Sequence, residues 1–504
     1  MRFAALIFLF CLFTNIVAIM EEDQPDDKDH TEWGCVSSTN DQNIPTTPSK
    51  KGPVNVEEEV DVAIVGGGLA GLLMAIGINN HCNDSSNKFR CKIYERAPKL
   101  RSISQGMLGT HTNGMFALKH IHPELPALVK KVGCARLKTI QTKIDANGKI
   151  TSSSKEQEIS AETRYLVTWH KMQQTLASLL PTTDAVVTSK SLVSYVEDDE
   201  TDSVLLYFED DSIVRAKIVL GCDGVFSQVR RQMANENGGR EGKNGDDRPI
   251  YFGQLNWGSI FPTKNLPIRP TSDIHPDNAV HSITYNGDPR WTCLLSDAGS
   301  GYTFFQLRVT DPEKAMALSG SEGRGGLGLP GVKDALIPIA KASNAVSTAL
   351  ECIPESQLFE RSIVGRLPAK RWISSGGRVA LVGDAAHGMH PNIGQGGNSA
   401  FESSLVLVRA LAEGKRQGLS LKQSLKSYEK ERKPRADLVQ KFSNMMGCSQ
   451  STGEQLIEMD KRMAMLDWIA KNPTGCEGGE QPPAGIVKAV NSFDPLKQKG
   501  VSLI

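Results

Sequence analysis

The chain has no Cys-x-x-Cys pair and no net charge, and each lack excludes something. Ten cysteines are scattered through 504 residues, at positions 11, 35, 82, 91, 134, 222, 293, 352, 448 and 476. Setting aside Cys11 in the apolar N-terminus leaves an odd number without paired spacing. That argues against both a disulfide framework and a structural zinc site. Several cysteines read as small buried apolar residues. Lys and Arg total 57 against 57 Asp and Glu, so nothing favours nucleic acid or an anionic surface as a partner. An apolar content of 39% with 23% charged residues describes a globular chain. Its length exceeds one ordinary core and implies two or more domains, or one interleaved unit.

The N-terminus stands apart. Arg2 is followed by a long apolar stretch with Ala18 near its end, the pattern of a secretory signal peptide over residues 1–18. A retained signal anchor, and with it membrane association, is the alternative. Residues 19–56 are acidic and polar and read as a disordered linker. The expected location is therefore the secretory pathway: the endoplasmic reticulum, or a plastid reached through it, with secretion or anchoring also open.

What is present begins at "VDVAIVGGGLAGLLMAIGINN". A Val- and Ile-rich run over Val60–Val65 fits a strand buried on both faces. It leads into Gly66-x-Gly68-x-x-Gly71 and then a helix-like apolar segment. In this pattern the first glycine allows a tight turn and the second lets a pyrophosphate approach the backbone. The third lets helix and strand pack closely, and the phosphates meet the helix N-terminus. A second strand in "FRCKIYERAP" ends in Glu95, placed to accept hydrogen bonds from a ribose. "GRGGLG" at 323–328 also spells GxGxxG, but no strand precedes it and Pro330 blocks the helix that should follow, so it reads as a loop.

"GDAAHGMHPNIGQGGN", residues 383–398, is the second informative stretch. It joins the apolar strand "GGRVALV" to the amphipathic helix "SAFESSLVLVRALAEGK". A metal site would use Asp384, His387 and His390, yet the glycines and Pro391 oppose the regular helix that would gather them. A cofactor accounts for more residues. Gly383-Asp384 places a carboxylate at a strand end, within reach of a polyol. Gly394, Gly396, Gly397 and Asn398 let backbone lie against a flat ring, over a helix N-terminus. A nucleotide site near residue 66 and a ring site near residue 390 together describe FAD. "AKIVLGCDGVFSQVRRQM" adds Asp223-Gly224 after a third apolar strand.

With these three motifs, residues 58–440 resemble the single-component FAD-dependent monooxygenases, the aromatic hydroxylases and zeaxanthin epoxidases. The resemblance implies that Gly66, Gly68 and Gly71 form the pyrophosphate loop, with Glu95 as the ribose acid and Arg96 beside the adenosine. It implies that Asp223 acts near the pyrophosphate and in handling NAD(P)H, and that Asp384 binds the ribityl chain. Pro391 and Gly394–Gly397 would lie beside the isoalloxazine. Two departures stand out: Glu402-Ser403 where many members have Glu-Asp, and His170 where arginine is common.

The expected fold is α/β, with a discontinuous Rossmann-like FAD-binding domain interleaved with an antiparallel β-sheet substrate domain and followed by C-terminal helices. The FAD-binding parts are 57–133, 161–245 and 369–420. A substrate-domain hairpin occupies 134–160, with an Asn-Gly turn at 147–148, and the rest of that domain occupies 246–368. A helical region and tail fill 421–504. The resemblance implies that NAD(P)H docks transiently, reduces FAD, and that oxygen forms a C4a-hydroperoxide. One oxygen atom of O2 then passes to an aromatic or isoprenoid small molecule. No catalytic acid–base pair is evident; His390, next to Pro391, is the candidate proton shuttle, and Phe252 and Trp257 are candidate pocket walls. No metal, nucleic acid or stable protein partner is expected. The alternatives are a flavin-dependent reductase or halogenase on the same fold, or a non-catalytic FAD-binding protein. The halogenase Trp-x-Trp-x-Ile-Pro stretch is absent, since only "NWGSIFP" occurs.

Overall fold

The computed structural model describes residues 55–448, apart from 84–87, 102–105, 137, 154–156, 159–163, 236–246, 248 and 268–278. The expected signal peptide over 1–18, nearly all of the expected linker over 19–56, and the tail from 449 onward lie outside the described residues.

Strand Glu58–Val65 is the axis of the first sheet. Its Val, Ala and Ile side chains are buried on both faces, as a strand between helical layers requires. It pairs in parallel with Cys91–Tyr94 on one side and Ile213–Gly221 on the other, and the latter pairs in parallel with Val379–Leu381. Register decides the function of this sheet. Val65 is level with Tyr94 and Gly221, and Gly221 with Leu381. The residues that follow each strand therefore emerge together at the carboxyl edge, where ligands bind in open α/β sheets. Strands Leu192–Asp198 and Ser203–Phe208 continue the sheet antiparallel, forming a meander with Ile213–Gly221.

Among the described residues the second sheet has nine strands. Ile250–Pro262, Ala279–Tyr285, Trp291–Gly299, Tyr302–Val309 and Phe359–Gly365 are its antiparallel body. The hairpin Lys138–Ile144/Ile150–Ser153 turns at Gly148 with φ +78° and joins the edge. Two details depart from expectation. The hairpin joins by a parallel pairing to Ala279–Tyr285, because the chain crosses the first domain between the two strands. Cys134–Ala135 belongs instead with Met107–Gly109 and Tyr165–Thr168 in a small third sheet. In the loop at 323–328, Gly326–Leu327 makes a brief edge pairing with Phe359–Gly365, and the helix Val332–Ala340 starts only after Pro330.

One face of the second sheet is apolar and packs beneath the helices Val332–Ala340 and Asn344–Glu351; Trp257, Trp291, Phe305, Leu307 and Leu336 meet there, each fully buried. Trp257 is thus core rather than a pocket wall, its indole N–H donating to Glu360 at 2.9 Å. The opposite face looks towards the glycine-rich loops of the first domain. No helix among the described residues is long and apolar enough to cross a membrane.

The C-terminal helix Leu421–Cys448 lies along the helix Gly396–Arg416, joined by a buried ionic cluster. Glu402, inaccessible to solvent, accepts from Arg432 at 3.0 Å, Arg435 at 2.8 Å and Asn113 at 2.6 Å. Burial alone would raise its pKa, but the two guanidinium groups outweigh burial and hold the carboxyl below its ordinary value. A carboxylate with a lowered folded-state pKa stabilises the fold fully above its unfolded pKa, and that contribution fades as pH falls through the lowered value. Replacing Glu402 by Ala leaves two buried guanidinium groups without their carboxylate and should cost about 3–5 kcal/mol in denaturant unfolding at pH 7. For Glu402→Gln, the deficit against wild type should narrow as pH falls below about 4.

Candidate flavin site

Each glycine of the first loop has a separate mechanical reason. Gly66 has φ +104°, and a Cβ there would stand 2.6 Å from the Cys222 carbonyl oxygen. A Cβ on Gly71 would stand 2.0 Å from the carbonyl oxygen of Gly66, so only glycine lets the helix Leu69–His81 come so close. A Cβ on Gly68 would meet nothing within 4 Å. Gly68 caps that helix with no side-chain hydrogen bond, and the first turn holds no acid. The free N–H groups and positive dipole end therefore face open space.

Glu95 closes one side of the loop, accepting from Gly67 N at 2.6 Å and Ala97 N at 2.9 Å. Arg96, next in sequence, is exposed at the same edge. Gln173, which the sequence did not single out, donates to Gly67 O at 2.7 Å and accepts from Arg101 N at 3.1 Å. It lies one turn along from His170 on the helix Trp169–Ala177, where burial pushes the His170 pKa down to about 4.

The Asp223-Gly224 backbone packs against Gly66, but the Asp223 carboxylate turns away to cap the helix Gln228–Asn235. It accepts from Ser227 Oγ at 2.5 Å, Gln228 N at 2.8 Å and Val229 N at 3.1 Å. Burial raises its pKa against the pull of those donors. Asp223 shapes the loop, and its carboxylate is committed to the cap. Behind it, Asp247 joins Arg230 at 2.6 Å to Arg366 at 3.3 Å, holding the Asp223 and Asp384 loops together.

Gly383 follows the strand Val379–Leu381 with φ +65°, and a Cβ there would press on Ala70 of the first helix at 3.0 Å. Asp384 then starts a single helical turn, Asp384–His387, more regular structure than the glycines suggested; Gly388 ends it. Its side chain is open to solvent although it lies within the body of the protein. Burial raises its pKa, with Arg361 pulling the other way. A solvent-accessible carboxylate so surrounded lines an internal hollow.

Pro391 opens a short turn, Pro391–Ile393, which Gly394 ends with φ +63°. Gly396 begins the long helix without a side-chain cap, and a Cβ on Gly396 would meet only Asp384 Oδ1, at 3.9 Å. Gly397 leaves room for Leu108, since a Cβ there would lie 2.5 Å from its methyl. Asn398 binds these pieces together: its amide donates to Gly109 O at 2.9 Å and Gly394 O at 2.8 Å, and its oxygen accepts from His111 N at 2.9 Å. That oxygen occupies space that any side chain on Gly114 would need. Asn113 donates to Gln395 at 2.8 Å, linking the ionic cluster to the residue before Gly396.

The metal alternative gathers no site. His387 binds Ser403 at 2.8 Å, and His390 binds Gln254 at 3.2 Å while its Nδ1 accepts from Asn392 N at 3.2 Å. Among the described residues no group of three or more His, Cys, Asp or Glu stands together as ligands. The same bonds engage the ring of His390. Both ring nitrogens are occupied, burial and then Arg308 hold its pKa far below the ordinary value, and Phe252 packs edge-on at 4.8 Å. His390 thus supports the Pro391 turn.

The residues fit FAD. Two uncapped helix N-termini stand beside one accessible carboxylate: Gly383, just before Asp384, abuts Ala70 of the first helix, and a Cβ on Gly396 would meet only Asp384 Oδ1. A family model described as an FAD binding domain matches residues 358–443. A dual trans-enoyl reductase/FAD-dependent monooxygenase of Aspergillus terreus is 28% identical, over 73% of this chain and 49% of its own. The 3-amino-4-hydroxybenzoate 2-monooxygenase of Streptomyces cremeus is 26% identical, over 81% of this chain and 92% of its own. A chloroplastic zeaxanthin epoxidase of an Oncidium hybrid is 25% identical, over 79% and 57%. The chain thus carries the FAD binding domain match over residues 358–443 and is similar along most of its length to FAD-dependent monooxygenases. The chain spans about half the length of the first of these relatives and most of the second. HpxO of Klebsiella pneumoniae, solved with FAD and uric acid, shares the fold with a TM-score of 0.60 at 18% identity, covering 86% of this chain and 97% of that one.

Gly71→Ala and Gly68→Ala should separate two functions of one loop. Alanine at 71 collides with backbone and should lower the melting temperature of the FAD-free protein by several degrees. Alanine at 68 should leave that temperature unchanged and weaken FAD binding by about 10-fold or more, read by titration of FAD fluorescence.

Proposed function

We propose that the protein uses NAD(P)H and O2 to insert one oxygen atom into a small, largely apolar aromatic or isoprenoid molecule. One observation carries the reading: the accessible Asp384 carboxylate lies between two uncapped helix N-termini, with the second domain's sheet facing the same loops. When bound, FAD supplies electron transfer and oxygen activation. The protein's part is to bind, orient and keep water away.

Gly68 and the first helix N-terminus would hold the pyrophosphate, Glu95 a ribose, and Asp384 the ribityl hydroxyls. The N-terminus of Gly396–Arg416 would stabilise negative charge on the ring, and the Pro391–Gly394 turn would set the ring's edge. The described residues contain one GxGxxG strand–helix unit, so the reading gives the nicotinamide cofactor a transient docking place.

The test uses the full chain, loaded with FAD, with visible spectra recorded anaerobically before and after NADPH or NADH. Bleaching of the flavin band by either nucleotide supports the reading. A yellow protein left unchanged by both, with and without a panel of aromatic and isoprenoid compounds, overturns the nicotinamide part and favours a non-catalytic FAD protein or another electron donor. Asp384→Ala should weaken FAD binding about 10- to 100-fold, the scale of lost hydrogen bonds to a charged group.

A further inference from the structure

The face of the second sheet opposite its helices is divided by chemistry. Side chains at 305, 307 and 309 enter the helix-covered core, so alternation sends 304, 306 and 308 to the other face. Arg308 shows where that face looks: it donates to Asn256 at 2.8 Å and to Asn392, in the turn beside the flavin loop, at 2.6 Å. At the far end of the same strand Phe304 clusters with Met107 and Ala298, against the partly open Leu166, Ile260 and Leu294. Between the polar and the apolar end stands Gln306, level with Gly258 on one side and Leu294 on the other. It is 3% exposed, and its amide oxygen accepts no hydrogen bond among the described residues. A buried acceptor left without a donor costs stability, and the fold retains one here, two residues from the guanidinium that grips the flavin turn.

We propose that Gln306 is the substrate-reading residue: its amide oxygen accepts a hydrogen bond from a hydroxyl or N–H of the bound molecule, whose hydrocarbon body lies along Phe304, Ile260, Leu294 and Leu166. The substrate class is then an apolar ring or isoprenoid chain carrying one donor, rather than a bare hydrocarbon. Gly258 leaves that flank of Gln306 without a side chain. The inference rests on the flavin reading above.

The experiment uses the FAD-loaded full chain and Gln306→Leu, titrated with matched probes and followed by the shift of the flavin spectrum. The probes are 4-hydroxyquinoline against quinoline, 2-naphthol against naphthalene, and geraniol against 2,6-dimethyl-2,6-octadiene. Wild type should prefer the donor-bearing member of at least one pair by about 10-fold or more, and Gln306→Leu should lose the preference. The variant should keep its FAD affinity, and its melting temperature, with or without FAD, should equal or exceed wild type, because no protein partner is lost. A preference that survives in Gln306→Leu, no preference in any pair with a yellow wild type, or a melting temperature lowered by several degrees overturns the proposal. A protein that takes up no FAD overturns the flavin reading, and this inference falls with it.

Discussion

Everything at the site depends on how closely three backbones approach at Gly66. The Cys222 carbonyl, the Gly66 carbonyl and the first turn of the helix Leu69–His81 share a space that no Cβ could enter. That contact holds the first strand, the third strand and the first helix in one register. Gly383 extends it, because its missing side chain lets Ala70 of the same helix reach the Asp384 loop. The hollow is thus walled by backbone, and its polar character comes from helix ends more than from side chains.

Support for these loops comes from behind. Glu402, Arg432 and Arg435 fasten the C-terminal helix to the helix that begins at Gly396, and Asn113 passes the connection on to Gln395. The Arg230–Asp247–Arg366 group does the same for the loops of Asp223 and Asp384. Buried ion pairs add little net stability for what they cost in desolvation, but they specify a single arrangement of the elements they join. Here each cluster fastens at least one element that carries a glycine-rich motif.

The two domains divide the work. The first offers open helix ends, a carboxylate and a turn; the second contributes a sheet face that is polar near that turn and apolar away from it. His390 lies at the junction with both nitrogens engaged, fixing the Pro391 turn against Gln254 of the second sheet.

The sequence alone determined the backbone path of the glycine-rich loops, because a strand, a glycine spacing and a helix are local in the chain. The strand-to-helix turns at Gly66–Gly71 and Gly383–Gly396 and the strand end before Glu95 were legible for that reason, and so was the alternation of the hairpin at 138–153. Only the tertiary structure decided what the polar side chains do. Nothing local distinguishes an Asp223 that caps its own helix from one that faces a ligand, or a His390 locked by Gln254 and Asn392 from one free to move protons. Gln173, Asn113 and Gln306 carried no motif at all, since their partners, or the lack of one, lie across strands and helices far away in sequence. Spacing in the chain can encode a backbone path. It cannot encode which buried polar atom is left without a donor, because that depends on every other element packed around it.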